Sequence, residues 1–216
     1  AEGARSCQMT RARTETWHAI SWTAVAAARR SAERRAYAIV SGPEIAEEYA
    51  ATLIKFAQRK DINLIINGAE EGWRVSKQLA KAKIPVILRP IDNIPNSFNE
   101  LGSRLDNAYL LHQAGVKILI SSHETHNSYL SRQGAGIAVS YGLPWEEALK
   151  GLTSNIADVF KISKRGSIKL GHIADIVIWS GDPLEVTTFV EEVYISGELM
   201  PTKNRSMRLK DRYISK

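Results

Sequence analysis

The sequence predicts an α/β protein built on parallel strands, and two observations carry this prediction. From residue 41 onward, short continuous apolar runs alternate with stretches of helical periodicity three times in succession. The apolar runs are of the kind that a parallel sheet buries on both faces: INLII at 62–66, IPVIL at 84–88 and VKILIS at 116–121. Such alternation implies right-handed crossovers, as in a doubly wound sheet or a (β/α)₈ barrel.

Composition sets the broad class. The chain has 216 residues, of which 44% are hydrophobic and 24% charged, so it can bury a sizeable core as a globular protein. No apolar stretch approaches the roughly 18 residues of a membrane span, and no secretory signal is visible. Cys7 is the only cysteine, which excludes an intrachain disulfide. We therefore expect no membrane partner and, by default, a cytoplasmic protein.

The net charge of +6 is concentrated in the first 40 residues, which carry seven Arg, three Glu and no Lys. This Arg- and Ala-rich segment differs from the rest of the chain, where basic and acidic residues nearly balance. The uneven distribution argues against a nucleic-acid-binding surface over the whole protein. Binding of nucleic acid through the N-terminal segment alone remains an alternative, and it predicts salt-dependent binding that is lost when the segment is removed.

The helices have local signals. Ser41 and Glu44 form an S-x-x-E capping box, which predicts a helix over 44–60. Val75 and Leu79 lie at helical spacing after the first apolar run and predict the second helix. A third helix is predicted after the second run from four apolar residues at helical spacing: Leu101, Leu105, Ala108 and Leu111.

Polar residues follow each apolar run, where the carboxyl ends of parallel strands meet at one rim. They are Asn67, Glu70 and Glu71 after the first run, Arg89, Asp92 and Asn93 after the second, and His123 to Asn127 (HETHN) after the third. We expect these three polar loops to converge.

Beyond residue 129 the sequence predicts further helices and then short strands, with Ser196-Gly197 as a hairpin turn. The last part is basic and predicts a solvated tail. We divide the chain into an atypical segment at 1–40, a partial barrel at 41–162, a partial β-sandwich at 163–200 and a basic tail at 201–216.

An ordered series of motifs gives a family resemblance. GLPWEEALKGLTSNIADVFKI, GSIKLGHIADIVIWSGDPLE and VEEVYISGE resemble the C-terminal part of the metal-dependent amidohydrolase superfamily, near its imidazolonepropionase-like branch. The resemblance implies the C-terminal part of a TIM-like (β/α)₈ barrel followed by part of a small β-sandwich. AYAIV at 36–40 would be the fifth barrel strand, and the three apolar runs the sixth to eighth.

The resemblance also implies a divalent metal, with zinc as the expected ion, held by a His-x-His pair, further histidines, often a carboxylated lysine, and an aspartate after the eighth strand. Relatives have I-E-H-G after the sixth strand where this chain has Asn67, and an amide binds zinc poorly. His123 stands where the aspartate is expected.

We accordingly predict two catalytic residues, Glu124 and His123, with His123 and His126 as the metal ligands. Substrate binding is predicted for Asn67, Arg89, Asn127 and Arg132. Two alternatives stay open. The HETHN loop can be a polar rim loop without metal, and the two arginines can form ion pairs with Asp92, Glu70 or Glu71. Two tryptophans, Trp73 and Trp145, are expected to pack rather than to stack on a ligand.

By this resemblance the protein hydrolyses non-peptide carbon–nitrogen bonds with metal-activated water. The expected substrate is a small-molecule amide or a cyclic C–N compound. We expect this chain to be truncated and impaired, and its open strand edges favour self-association into a homo-oligomer. A non-catalytic barrel relative that binds a small molecule or partner is the alternative from another class.

Overall fold

The computed structural model describes residues 37–42, 47–122, 125–201, 203 and 205–214. The predicted N-terminal segment therefore lies outside the described residues, apart from its last four. The described part is a mixed α/β fold with one parallel and one antiparallel sheet. The α/β class with parallel strands is confirmed.

Four strands form the parallel sheet, in the order of the chain: β1 (Tyr37–Gly42), β2 (Asn63–Gly68), β3 (Val86–Leu88) and β4 (Ile118–Ile120). Each strand pairs in parallel with the next one along the chain. No reversal of strand order occurs within this sheet. The three apolar runs thus form strands as predicted, and the run at 36–40 forms β1 from Tyr37 onward.

Seven α-helices occur in the described part of the chain. They are α1 (Glu47–Lys60), α2 (Ser76–Ala82), α3 (Asn107–Gln113), α4 (Leu130–Ser140), α5 (Trp145–Leu152), α6 (Ser154–Phe160) and α7 (Arg205–Ile214). Single 3₁₀ turns lie at Gly72–Val75, Pro90–Asp92, Phe98–Glu100 and Thr125–Asn127. None of the helices described is long and apolar enough to cross a bilayer.

Two helix starts differ from the prediction. Ser41 is not an N-cap residue, because pairing with β2 extends β1 through Gly42. Of the predicted helix over 44–60, the part from Glu47 is described and helical. The third helix starts only at Asn107, and Leu101 is largely exposed, because residues 93–106 form a loop.

The core lies between the parallel sheet and its helices. Ile66, Val86 and Ile118 come from neighbouring strands and are buried, and Leu79 and Leu111 cover them from α2 and α3. All three residues of β4 are buried. Burial of continuous apolar strands on both faces is the main stabilising contribution of this half of the molecule.

The antiparallel sheet consists of β5 (Ile176–Trp179), β6 (Val190–Ile195) and β7 (Glu198–Met200). Ser196 and Gly197 both have positive φ values, 54° and 85°, which fits a tight hairpin turn between β6 and β7 and confirms the predicted turn. The basic C-terminal residues are exposed as expected, but they form α7, which the sequence analysis did not predict.

Candidate functional site

A cavity of about 410 Å³ lies where β2, β3 and β4 end. Its lining comes from the loops that follow these three strands and from the start of α4. The lining residues are Glu70, Arg89, Ile91, Asp92, Asn96, Glu100, Ser121, Ser122, Asn127 and Leu130. The three polar loops therefore converge as the sequence predicts, and the volume is in the usual range for small-molecule sites.

The most buried polar group of this cavity is the Glu70 carboxylate. The residue is 4% exposed, and its Oε1 accepts a hydrogen bond of 2.7 Å from Arg89 Nη2. Its Oε2 is buried and has no hydrogen-bond partner in the part of the chain that the structure describes. A buried carboxylate oxygen without a donor is costly, so a ligand N–H group that reached this atom from the cavity would satisfy it.

The backbone that carries Glu70 is held in an unusual conformation. Ala69 has a φ of 57°, which is uncommon for a residue with a Cβ atom. Its carbonyl oxygen accepts hydrogen bonds from Gly72 N at 2.8 Å and from Asn107 Nδ2 at 2.9 Å. Asn107 is almost fully buried and also accepts a hydrogen bond from Trp73 N. These contacts fix the turn that points Glu70 toward the cavity.

A second set of contacts holds the loop of residues 93–106, which we call the rim loop, against the β2–α2 connection. Glu71 Oε1 accepts a hydrogen bond of 2.6 Å from Gly102 N, and its Oε2 forms an ion pair with Arg74. Trp73 Nε1 donates to the Gly102 carbonyl at 2.9 Å. As predicted, Trp73 packs rather than being free to stack on a ligand.

The rim loop is further ordered at Arg104. Its guanidinium carbon lies 5.2 Å from the centroid of the Trp73 ring, and its carbonyl oxygen accepts a hydrogen bond from Asn93 Nδ2. Hydrogen bonding and attraction from Arg104 hold the pKa of Asp106 below its usual value. The loop thereby brings Asn96 and Glu100 to the cavity, and Glu100 Oε2 accepts a hydrogen bond from Asn96 N.

The charges of the described cavity lining are mostly negative. Glu70, Asp92 and Glu100 contribute three carboxylates, and Arg89 contributes the one guanidinium, which is already paired with Glu70. Ile91 and Leu130 add apolar surface. Sequence reasoning named Glu70 and Asp92 as rim residues but missed Asn96 and Glu100, since no local signal places the rim loop over the cavity.

Of the predicted substrate-binding residues, Arg89 and Asn127 line this cavity. The ion-pair alternative holds for Arg89, because its guanidinium contacts Glu70. Asn67 lies in β2, and neither it nor the exposed His126 is among the lining residues. Two predicted site residues, His123 and Glu124, lie outside the described residues.

The structure places Arg132 elsewhere. Its Nη1 donates hydrogen bonds to the Pro183 carbonyl at 3.0 Å and to Thr188 Oγ1 at 3.1 Å, and also to the Glu185 carbonyl. Its guanidinium carbon is 4.8 Å from the centroid of the Trp179 ring. Arg132 therefore joins α4 to the segment around the antiparallel sheet, and none of the acidic residues proposed as its partners is involved.

Trp145 and Asp182 form a second contact of this kind. Trp145 Nε1 donates to Asp182 Oδ2 at 2.9 Å, and Asp182 Oδ1 accepts from Leu184 N at 2.8 Å. The role of Asp182 is thus to shape a turn, and Trp145 packs at the surface of α5, as expected from the sequence.

The described residues do not fit a zinc site. Zinc sites usually take at least three protein ligands, and no group of three or more His, Cys, Asp and Glu residues able to hold a metal occurs in the described part. Glu70 uses one of its oxygens to bind Arg89, and His126 lies outside the cavity lining. A metal role for His123 and His126 stays a prediction.

Comparison with known proteins supplies the family. The chain is 29% identical to a crystal structure of an amidohydrolase from Thermotoga maritima MSB8, with a TM-score of 0.70 over 78% of this chain and 44% of that one. It is 36% identical to amidohydrolase tasK of Hapsidospora irregularis over 89 residues, which are 41% of this chain and 9% of that protein. The chain thus spans less than half the length of either relative.

A prolidase solved in complex with N-methylphosphonate-L-proline shares the fold. It is 16% identical, with a TM-score of 0.53 over 74% of this chain and 50% of that one. The sequence profile of the amidohydrolase family itself matches residues 39–200, which include both sheets except the first two residues of β1, and every described residue of the cavity. The chain therefore belongs to the amidohydrolase family.

Proposed function

We propose that this protein is a hydrolase of non-peptide carbon–nitrogen bonds and that the described cavity receives its small-molecule substrate. Family membership supports a hydrolase. The observation that carries the proposal is the cavity at the strand ends, with the buried Glu70 oxygen that lacks a partner among the described residues. In parallel α/β folds the carboxyl ends of the strands are where ligands bind.

The proposal gives each group a defined role. Glu70 accepts a hydrogen bond from a substrate N–H group, and Arg89 keeps Glu70 in place through their ion pair. Asn127 offers an amide that can donate to a substrate oxygen or accept from its nitrogen. The consecutive order of β1 to β4 supports a segment of a singly wound barrel, with β5 to β7 as part of an appended sandwich near the imidazolonepropionase-like branch.

We further propose that the described part supplies substrate recognition without a complete hydrolytic centre, so this chain alone is impaired. In the family the missing chemistry would come from a divalent metal and its bound water. The donor set described above supports this, since it lacks a three-ligand metal group. A purely binding relative is the second candidate, favoured by the same observation.

The test uses the purified 216-residue chain. Zinc content is measured by elemental analysis, and turnover is measured with hydantoin-type cyclic amides, with and without added zinc, with dipeptides as the peptide-bond comparison. We expect substoichiometric zinc and turnover close to the uncatalysed rate. Stoichiometric zinc with clear hydrolysis would contradict the proposed impairment, and hydrolysis by a longer form of the protein with binding by this chain would support the division of roles.

A further inference from the structure

The charge of the cavity lining has a consequence for the substrate. Three carboxylates and one guanidinium line the described cavity, and the guanidinium is neutralised by its ion pair with Glu70. Two negative charges, those of Asp92 and Glu100, are therefore in excess. A cavity of this sign attracts cations and repels a substrate carboxylate, since charge complementarity governs which partner is accepted.

The second observation is the hydrogen-bonding state of Glu70. Arg89 Nη2 occupies one carboxylate oxygen at 2.7 Å, and the other oxygen is buried without a donor in the described residues. A site with a buried, unsatisfied acceptor favours ligands that bring an N–H donor to it. It discriminates against analogues of the same shape that lack this donor, because they leave the acceptor unpaired.

The apolar part of the lining adds a further requirement. Ile91 and Leu130 line the same cavity as the three carboxylates. A ligand that fills the cavity therefore combines a cationic N–H group with an apolar body. Planar amidinium and guanidinium groups suit this arrangement, since they present several N–H donors to carboxylate oxygens at once.

We propose that the cavity selects a substrate with a cationic nitrogen group, an amidine, guanidine or protonated amine, joined to an apolar moiety. This inference rests on the proposed function, in that the cavity is taken to receive the substrate. It gives Arg89 a supporting role, because the Arg89 guanidinium binds Glu70. An organic cation fits better than a divalent metal, because Glu70 offers only one remaining oxygen and the described lining holds no three-ligand group.

The test compares three probes of the same shape and different charge: benzamidine, benzamide and benzoate. Binding to the purified chain is measured at pH 7 by isothermal titration calorimetry or by NMR line broadening. We expect benzamidine to bind about tenfold or more tighter than benzamide, which is the effect of one hydrogen bond to a charged group. Benzoate is expected to bind least. Equal or tighter binding of benzoate would overturn the proposal.

Glu70→Gln is the diagnostic variant, because glutamine keeps an acceptor for Arg89 but removes the charge and turns the second position into a donor. We expect the affinity for benzamidine to fall about tenfold or more, while the affinity for benzamide changes little. Glu191→Gln is the matched control, since Glu191 is an exposed carboxylate on β6. Equal effects of both variants would contradict the assignment of the cavity.

A second variant and a competition with zinc complete the test. If Glu70→Gln does not fold, as judged by thermal unfolding, Asp92→Asn is used instead, because it removes a negative charge of the same cavity at a less buried residue. Displacement of benzamidine by Zn²⁺ at equimolar concentration would overturn the preference for an organic cation. Because little turnover is expected of this chain alone, cation selectivity supports this inference whether or not the chain hydrolyses a substrate. Failure of a longer form of the protein to hydrolyse any of the cyclic amides would count against the proposed function, whereas hydrolysis of an anionic substrate would support the proposed function and count against this inference.

Discussion

The two sheets of this protein differ in how much of each strand they bury. In the parallel sheet, β4 is buried throughout and β2 has four buried residues out of six. In the antiparallel sheet, β5 and β6 contain no buried residue, and Leu199 on β7 is 58% exposed. The cavity is built entirely on the first of these. A site needs side chains held in fixed directions, and a close-packed core provides this.

The sharpest way to test this contrast is a pair of leucine truncations. Leu111 is fully buried under the parallel sheet, so Leu111→Ala should lower the free energy of unfolding by about 2–5 kcal/mol through lost burial and a cavity. Leu199→Ala on the antiparallel sheet should cost less than about 1 kcal/mol. Urea unfolding of both variants measures the difference. Similar losses would mean that the two sheets contribute equally.

The connection between the regions is tested at Gly136 in α4. A Cβ atom at Gly136 would lie 2.6 Å from the Leu184 carbonyl oxygen, so Gly136→Ala should push that segment away from the helix. We expect a loss of about 1–3 kcal/mol and faster hydrogen exchange in the antiparallel sheet. Gly134→Ala in the same helix is the control, because its nearest neighbour would be Pro90 Cδ at 3.4 Å. Equal exchange in both variants would contradict the contact.

The link between core and cavity is tested at Trp73. Trp73→Phe removes the Nε1 donor to Gly102, at a cost of about 1 kcal/mol. The rim loop should then exchange its amide hydrogens faster, and benzamidine should bind more weakly because Glu100 is less well placed. The control is Trp145→Phe, which removes a comparable donor to Asp182 far along the chain. An unchanged rim loop in Trp73→Phe would show that other contacts hold it.

The smallest effect is expected at Asp106, because its ion pair with Arg104 is solvent-exposed. Hydrogen bonding from Arg104 lowers the pKa of Asp106 in the folded protein. Its stabilising contribution is therefore present above the ordinary aspartate pKa of about 3.9 and is lost as the pH falls through the lowered value. Asp106→Asn should remove this part of the acid sensitivity. If the free energy of unfolding had the same pH dependence in the wild type and in Asp106→Asn, this prediction would be contradicted.

Features with local causes could be predicted from the sequence. The apolar runs formed strands because their burial requires only a continuous stretch of β-prone residues, and Ser196-Gly197 formed a turn because glycine readily accepts the positive φ that a tight hairpin requires. Ser41 was misassigned, since its capping signal is local but its pairing with Asn67 is not. The exposed helix α7 was missed because its many charged residues were interpreted as a solvated tail, and none of its residues is buried.

The cavity could be predicted only in outline. The strand-end rule placed Glu70, Arg89 and Asp92 at one rim, but it left the ion pair of Arg89 with Glu70 as only one of several alternatives. Glu100 was missed because the path of the rim loop depends on Trp73 and Gly102, which are 29 positions apart. Arg132 was misplaced for the same kind of reason, as its partners lie more than 50 positions along the chain.

The left-handed backbone at Ala69 affects how this protein can tolerate change. Glycine at this position would relieve steric strain of about 1 kcal/mol, but it would also give the unfolded chain more conformational freedom, which offsets a similar amount. The melting temperature of the protein should therefore change little when Ala69 is replaced by glycine. The direction of the Glu70 carboxylate is more sensitive to this change, so a glycine scan that measures thermal stability would pass over Ala69, whereas one that measures ligand discrimination would detect it.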